Sequence, residues 1–107
     1  MADRLTLTRY ELNEKLKRYS DNVYFQPTSD IRLKYPCIIY NVDEIEVLRA
    51  DDGVAYKVDR SYNLTIIDED PDSEVPYRII QEFAYSTFLG VDVTDGLYHN
   101  RMRVYYT

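Results

Sequence analysis

The first pattern along the chain is a helical spacing of apolar residues near its start. Leu12, Leu16 and Tyr19 recur at steps of four and three residues, which places them on one face of a helix. Thr8 and Glu11 fit a capping box, in which each side chain satisfies the backbone amide of the other residue. The spacing therefore predicts a helix from about Thr8 to Tyr19.

Extended segments follow this helix. Val23–Gln26 predicts a short strand, and a longer strand is predicted to begin at Cys37 and to continue through alternating apolar and acidic residues to Val47. Asp52-Gly53 is a strong two-residue hairpin signal. The next predicted strand, Arg60–Asp68, has its even-numbered apolar residues on one face. Two antiparallel strands around a turn are the simplest topology.

Two segments between these strands are predicted to be irregular, Pro27–Pro36 and Asp51–Asp59. Prolines bracket the first, and turn-forming residues populate both. Loops of this kind are where a small scaffold carries its contacts. The alternative is that both segments are plain connections.

The second half predicts another helix and two more strands. Val75, Ile79 and Phe83 recur four residues apart on a core face, and Ile80 is expected to widen that stripe. The elements predicted after it are a strand at Ala84–Val91, a turn at Asp92–Gly96 and a last strand at Leu97–Tyr106.

Residues 1–107 are therefore expected to form one α+β domain, because no repeat or linker divides them. The order of elements predicts an antiparallel sheet, mixed at most, of about four to five strands. Both helices are expected to pack on one face of this sheet.

The charge balance is acidic, since 13 basic residues against 19 acidic ones give a formal net charge of -6. Nucleic-acid backbones and anionic membranes attract basic surfaces. No apolar stretch approaches the roughly 20 residues that cross a bilayer, and Met1–Leu5 contains no apolar signal-peptide core. We therefore expect a protein of a reducing compartment with no membrane partner and no sequence-specific nucleic-acid partner.

The residues of this chain give little support for a catalytic function. Cys37 and His99 are the one cysteine and the one histidine, so an enzyme using this pair is an alternative. Cys37 lies in the apolar run Tyr35–Tyr40, however, where a small buried residue is expected. Three glycines are scattered and form no phosphate-binding loop. We expect no catalytic residue and no cofactor.

The acidic run Asp68–Glu74 contains five carboxylates in seven residues, and its start superficially resembles a calcium-binding loop. Such a loop requires glycine at its sixth position and glutamate at its twelfth. Those positions are Ser73 and Ile79 here, so the pattern fails. We expect a turn and an acidic helix N-terminus without a metal.

The ordered features resemble the tail-terminator, or tail-completion, proteins of long-tailed bacteriophages, and the resemblance covers nearly the whole chain. None of the matching segments is a catalytic signature; the specificity comes from their order. The segments are Thr8–Tyr19, Val23–Pro27, Tyr35–Tyr40, Ala50–Asp51, Arg60–Glu74 and Asp95–Asn100.

This resemblance implies a structural virion protein of the neck, assembled in the host cytoplasm. Such proteins form a ring, usually a homohexamer, on the head-proximal end of the tail tube, stop tube polymerisation and join the tail to the head connector. The implied partners are further copies of the chain, the tail tube protein and a head connector or head-closure protein. DNA would pass through the ring lumen, and no cofactor is implied.

Two other functions stay open: a head-closure or head–tail connector component of the neck, and a small non-viral cytoplasmic protein-binding module. The 12 tyrosines suit wet interfaces, although tyrosine is also favoured in strands. Arg101 and Arg103 are expected to meet acidic groups, for example the Asp68–Glu74 run of a neighbouring subunit. The candidate contact residues are Ile31, Arg32, Leu33, Lys34, Tyr35, Asp51, Asp52, Tyr56, Arg101 and Arg103.

Overall fold

The computed structural model describes residues 4–49, 53 and 55–106, with side chains described at 9–45, 49, 53 and 60–106. The elements in chain order are α1 (Arg4–Leu16), β1 (Val23–Phe25), β2 (Cys37–Arg49), β3 (Ala55–Asp68), α2 (Val75–Glu82), β4 (Ser86–Thr94) and β5 (Leu97–Tyr105). The predicted α+β class is confirmed.

The strands form one five-stranded sheet in the order β1-β2-β3-β5-β4. The pairing of β1 with β2 is parallel, and the other pairs are antiparallel. The sheet is therefore mixed. Its two edges are unlike: β1 has three residues, whereas β4 has nine.

One buried cluster forms the core. Alternate residues of the central strand β3, Tyr62, Leu64 and Ile66, are buried, as their predicted common face requires. Both helices contribute to the same cluster, α1 through Leu12 and Leu16 and α2 through Ile79 and Phe83. The cluster is completed by Ile38, Tyr40, Met102 and Val104. The placement of both helices on one face of the sheet stays a prediction.

The first helix departs from its prediction at both ends. It begins at Arg4 and ends at Leu16, with hydrogen-bonded turns continuing to Tyr19. Thr8 is thus inside the helix, and the predicted capping box is wrong. The apolar face is confirmed, because Leu12 and Leu16 are fully buried and Tyr19 packs against the core.

The predicted irregular segment Asp51–Asp59 is largely strand, since β3 starts at Ala55. Cross-strand pairs run from Ile45 opposite Arg60 to Arg49 opposite Ala55. Among the described residues, no third strand pairs along this stretch, so 45–49 and 55–59 form a two-stranded arm beyond the sheet. The principal extents of 53 × 27 × 22 Å reflect that elongated shape.

The β4–β5 connection is tighter than predicted. Residues 92–94 belong to β4, and the turn consists of Asp95 and Gly96. Both have positive φ, 53° and 74°, as a type I′ hairpin turn requires. The predicted turn Asp92–Gly96 is therefore too long, because Asp95 and Gly96 alone reverse the chain direction.

Candidate interaction surface

The first candidate surface is the loop between β1 and β2, where five of the predicted contact residues lie. Ile31, Arg32, Lys34 and Tyr35 are exposed, and Leu33 is partly buried. The predicted irregular segment Pro27–Pro36 is confirmed here. Two apolar and two cationic side chains are thus presented to solvent together, which is a composition suited to an apolar partner with acidic groups.

Local hydrogen bonds fix this loop. The backbone N of Ile31 donates to the Thr28 carbonyl oxygen over 3.2 Å. The Thr28 hydroxyl donates to the Asp30 carboxylate, and this hydrogen bond lowers the pKa of Asp30. The Lys34 backbone N donates to Tyr24 Oη over 3.2 Å, which ties the loop to β1.

Three further predicted contact residues concern the hairpin arm. Asp51 and Asp52 lie outside the described residues. Tyr56 lies in β3, and its side chain is likewise outside the described set.

Arg101 and Arg103, the last two predicted contact residues, already have acidic partners within the chain. Arg101 Nε lies 2.8 Å from Asp92 Oδ2 on the neighbouring strand β4. Arg103 Nε lies 2.9 Å from Asp43 Oδ2 on β2. The structure therefore gives no support to the prediction that these arginines meet the acidic run of another subunit.

Backbone irregularities position both pairs. A bulge between Val42 and Glu44 leaves Asp43 without a cross-strand partner. Its carboxylate accepts hydrogen bonds from Asn63 Nδ2 at 3.0 Å and Ser61 Oγ at 3.3 Å. The second bulge, in β4, places Gly90 at φ +154°, where an added Cβ would lie 3.0 Å from Arg101 Nη2. Glycine thus leaves the space that this guanidinium occupies.

The second candidate surface is a groove between α2 and the β4–β5 hairpin, which we call the α2–β4 groove. Its volume is about 590 Å³. Its apolar lining is unusually open, since Tyr77 is 69% exposed and Ile80, Phe88 and Val91 are 42–49% exposed. The other lining residues are Pro71, Asp72, Ser73, Pro76, Tyr98 and Asn100.

The free edge of β4 borders this groove. Phe88, Leu89, Val91 and Val93 are all exposed, and the strand contains no proline. Among the described residues, β4 pairs only with β5, so its outer N–H and C=O groups lack strand partners. Exposed edge strands of this length are templates for pairing with another chain, and proteins usually blunt them.

The acidic run lies beside the groove. It forms consecutive turns in which an aspartate side chain accepts a hydrogen bond from the backbone N two residues further along. The Asp68 carboxylate accepts from the Asp70 backbone N at 3.0 Å, and the Asp70 carboxylate accepts from the Asp72 N at 2.9 Å. Within the described part of the chain, none of its carboxylates forms a salt bridge. Nor does any group of three or more potential ligands there have metal-binding geometry.

The Cys37–His99 alternative lacks the required contact. Cys37 and His99 both pair with Ile67, on opposite sides of β3, which separates their backbones by about 10 Å. Burial raises the pKa of the Cys37 thiol to about 11, so the reactive thiolate is scarce at neutral pH. His99 Nδ1 instead lies 3.2 Å from the Leu97 carbonyl oxygen.

The helical spacing of apolar residues does not reveal the groove, because it predicts Ile80 in the core. Pro76, Ile79 and Phe83 already fill the buried side of α2. Tyr77 and Ile80 are three residues apart and therefore lie together on the side of α2 next to its buried side. This apolar pair is the feature of the sequence that indicates the groove. The prediction that Ile80 widens the core stripe is wrong.

Comparisons with protein-family models, curated proteins and solved structures found no match to this chain. In the described part of the chain, neither helix has the length and apolar composition needed to cross a membrane.

Proposed function

We propose that this protein is a structural assembly protein that caps the head-proximal end of a phage tail tube as a ring. In this role it ends tube polymerisation and joins the tail to the head connector. The proposal starts from the ordered resemblance of the sequence to tail-terminator proteins. Its partners would be copies of itself, the tube protein and a connector or head-closure protein.

The observation that favours assembly most is the free β4 edge beside the α2–β4 groove. This edge offers nine residues of backbone and four exposed apolar side chains to a partner. Burying apolar surface contributes about 25 cal/mol per Å². An edge of this composition is therefore expected to bind protein, whether in a ring or in another complex.

Unlike edges also favour a ring over a two-fold dimer. A ring of more than two identical subunits joined by one kind of contact needs two different patches on each subunit, because a patch that pairs with its own copy gives only a two-fold dimer. The β1 edge carries the loop 31–35, in which Arg32 and Lys34 are exposed, whereas the β4 edge is long and apolar. These two surfaces meet that requirement.

The β2–β3 arm is a second expected contact with a neighbour or the tube. Two-stranded hairpins are marginal in water without further packing. Replacing 46–59 with an Asn-Gly turn should leave the sheet folded, because Ile45 stays opposite Arg60 and the pairing of β3 with β5 begins at Ser61. We expect this variant to fold as a monomer and to lose assembly; normal assembly of the shortened chain would exclude the arm from the contact.

Removing the chain from a particle-producing cell tests the function. We expect over-long tail tubes and unjoined heads in electron micrographs, with both defects rescued by the wild-type chain. Tails of normal length beside unsealed heads would favour the head-closure alternative. Unaltered particles, or the absence of any particles from the source cell, would favour the non-viral protein-binding module and overturn the proposal.

A further inference from the structure

Two surfaces of this chain are complementary in chemistry. The first, which we call the cationic loop, consists of residues 31–35. Its apolar ends, Ile31 and Tyr35, are 45% and 43% exposed. Between them, Arg32 and Lys34 are exposed and form no salt bridge with any described residue.

The α2–β4 groove presents the reverse charge around a similar apolar surface. Tyr77, Ile80 and Phe88 line it, and Asp72 lies on its wall. Glu74 follows at the start of α2, is exposed and makes no side-chain capping hydrogen bond. An apolar segment with two cations therefore matches this groove in both polarity and charge sign.

The sheet places these surfaces at opposite edges. The cationic loop is tied to β1, and the groove includes residues of β4. Four strand spacings of about 4.8 Å separate those edges, or about 19 Å. One row of paired residues, Val23–Ile38–Ile66–Asn100–Val91, crosses the sheet between them. Both surfaces thus lie near the same level of the sheet.

Building on the proposed ring, we infer that the cationic loop of one copy docks in the α2–β4 groove of the next copy. Arg32 and Lys34 face Asp72 and Glu74 across this contact, and Ile31 and Tyr35 cover the exposed apolar lining. The contact is heterologous, so repetition closes a ring or continues as a filament. The occupant of the groove is therefore a second copy of this chain.

Zero-length carbodiimide cross-linking tests the contact directly, since it joins amines only to carboxylates that touch them. Unlabelled and isotope-labelled copies are mixed in two preparations. The first is the purified chain at high concentration, and the second is the producing cell, before the particles are purified. We expect mixed-isotope peptides that join Lys34 to Asp72 or Glu74. Cross-links between copies at other residues only, or none in either preparation, would overturn the inference.

Charge reversal supplies a second test. The loop variant is Arg32→Glu/Lys34→Glu, and the groove variant is Asp72→Lys/Glu74→Lys. Each variant alone juxtaposes like charges and should lower assembly at least about tenfold. An equal mixture should restore it, because each loop then meets a groove of opposite charge on the other variant. Assembly is read by sedimentation or by recovery with purified particles.

Controls separate this contact from folding and from the proposed function. Lys17→Glu/Arg18→Glu reverses two exposed cations elsewhere and should assemble normally, and circular dichroism checks the fold of every variant. A loop variant that assembles like the wild type, or a mixture no better than its components, overturns the contact. Over-long tubes on deletion of the chain would still support the ring function in that case. If the tubes are unaltered but the Lys34 cross-link forms, the contact between copies stands and the proposed tail function is rejected.

Discussion

Reversing the charge of Arg103 should destabilise the folded monomer, whereas the same change at Arg101 should have little effect. The Arg103–Asp43 side chains are 41% and 22% exposed, against 49% and 62% for Arg101–Asp92. The Asp43 carboxylate also accepts hydrogen bonds from Ser61 and Asn63, so it cannot turn away without losing them.

The magnitude follows from these environments. At an effective dielectric constant of about 20, unit charges about 4 Å apart interact by about 4 kcal/mol. Both side chains are partly exposed to water, which weakens the interaction between their charges. We therefore expect Arg103→Glu to lower the free energy of unfolding by about 2 kcal/mol. Exposed pairs contribute only about 0.2–1 kcal/mol, so we expect Arg101→Glu to cost less than about 1 kcal/mol.

Urea unfolding followed by circular dichroism measures both variants. In an Asp43→Asn background, the repulsion is absent and the cost of Arg103→Glu should fall below about 1 kcal/mol. An equal cost in both backgrounds, or a cost below about 0.5 kcal/mol in the wild type, would show that the Asp43 carboxylate does not stabilise the fold through Arg103. Reversing both arginines is consequently a poor test of assembly, because folding and association would change together.

Three further predictions concern stability and reactivity. Leu64→Ala should cost about 2–5 kcal/mol in urea unfolding because Leu64 is 1% exposed in the central strand, whereas Thr65→Ala on the other face should cost less than about 1 kcal/mol; equal costs would contradict the assigned core. Cys37 should react with a thiol reagent at pH 8 at least about tenfold more slowly in the native chain than in urea, because only an exposed thiolate reacts readily; equal rates would show that the thiol is accessible. Burial, and then the hydrogen bond to Glu82, raise the pKa of Tyr19 from 10.0 to about 12, so its protonated form stabilises the fold fully below pH 10 and this contribution is lost as the pH rises through 12. Thermal unfolding should therefore show a steeper loss of stability from pH 10 to 12 in the wild type than in Tyr19→Phe, and identical slopes would exclude this linkage.

Elements whose signals are local were predictable from the sequence. The spacing of Leu12 and Leu16 identified the buried face of α1, and the alternation in β3 identified Tyr62, Leu64 and Ile66 as core. Such periodicities follow from helix and strand geometry alone. The start of α1 was misplaced because a good capping pair at Thr8 says nothing about whether the chain before it is already helical.

The surface depended on tertiary contacts that no local pattern shows. Ile80 satisfies the same helical spacing as a core residue, and only the packing of Ile79 and Phe83 in the core leaves Ile80 facing the groove. Arg101 and Arg103 looked available for a partner because their aspartate partners are separated from them in sequence. Their pairing depends on strand order and on two bulges, which sequence spacing does not encode.

The proposed role of this chain is assembly at the neck of a phage tail. The decisive test of that role is an affinity pull-down of a tagged copy from the producing cell, with partners identified by mass spectrometry. We expect recovery of untagged copies of the chain together with tail tube and head connector proteins. Recovery of a host enzyme or a metabolite, without tube or connector proteins, would contradict it.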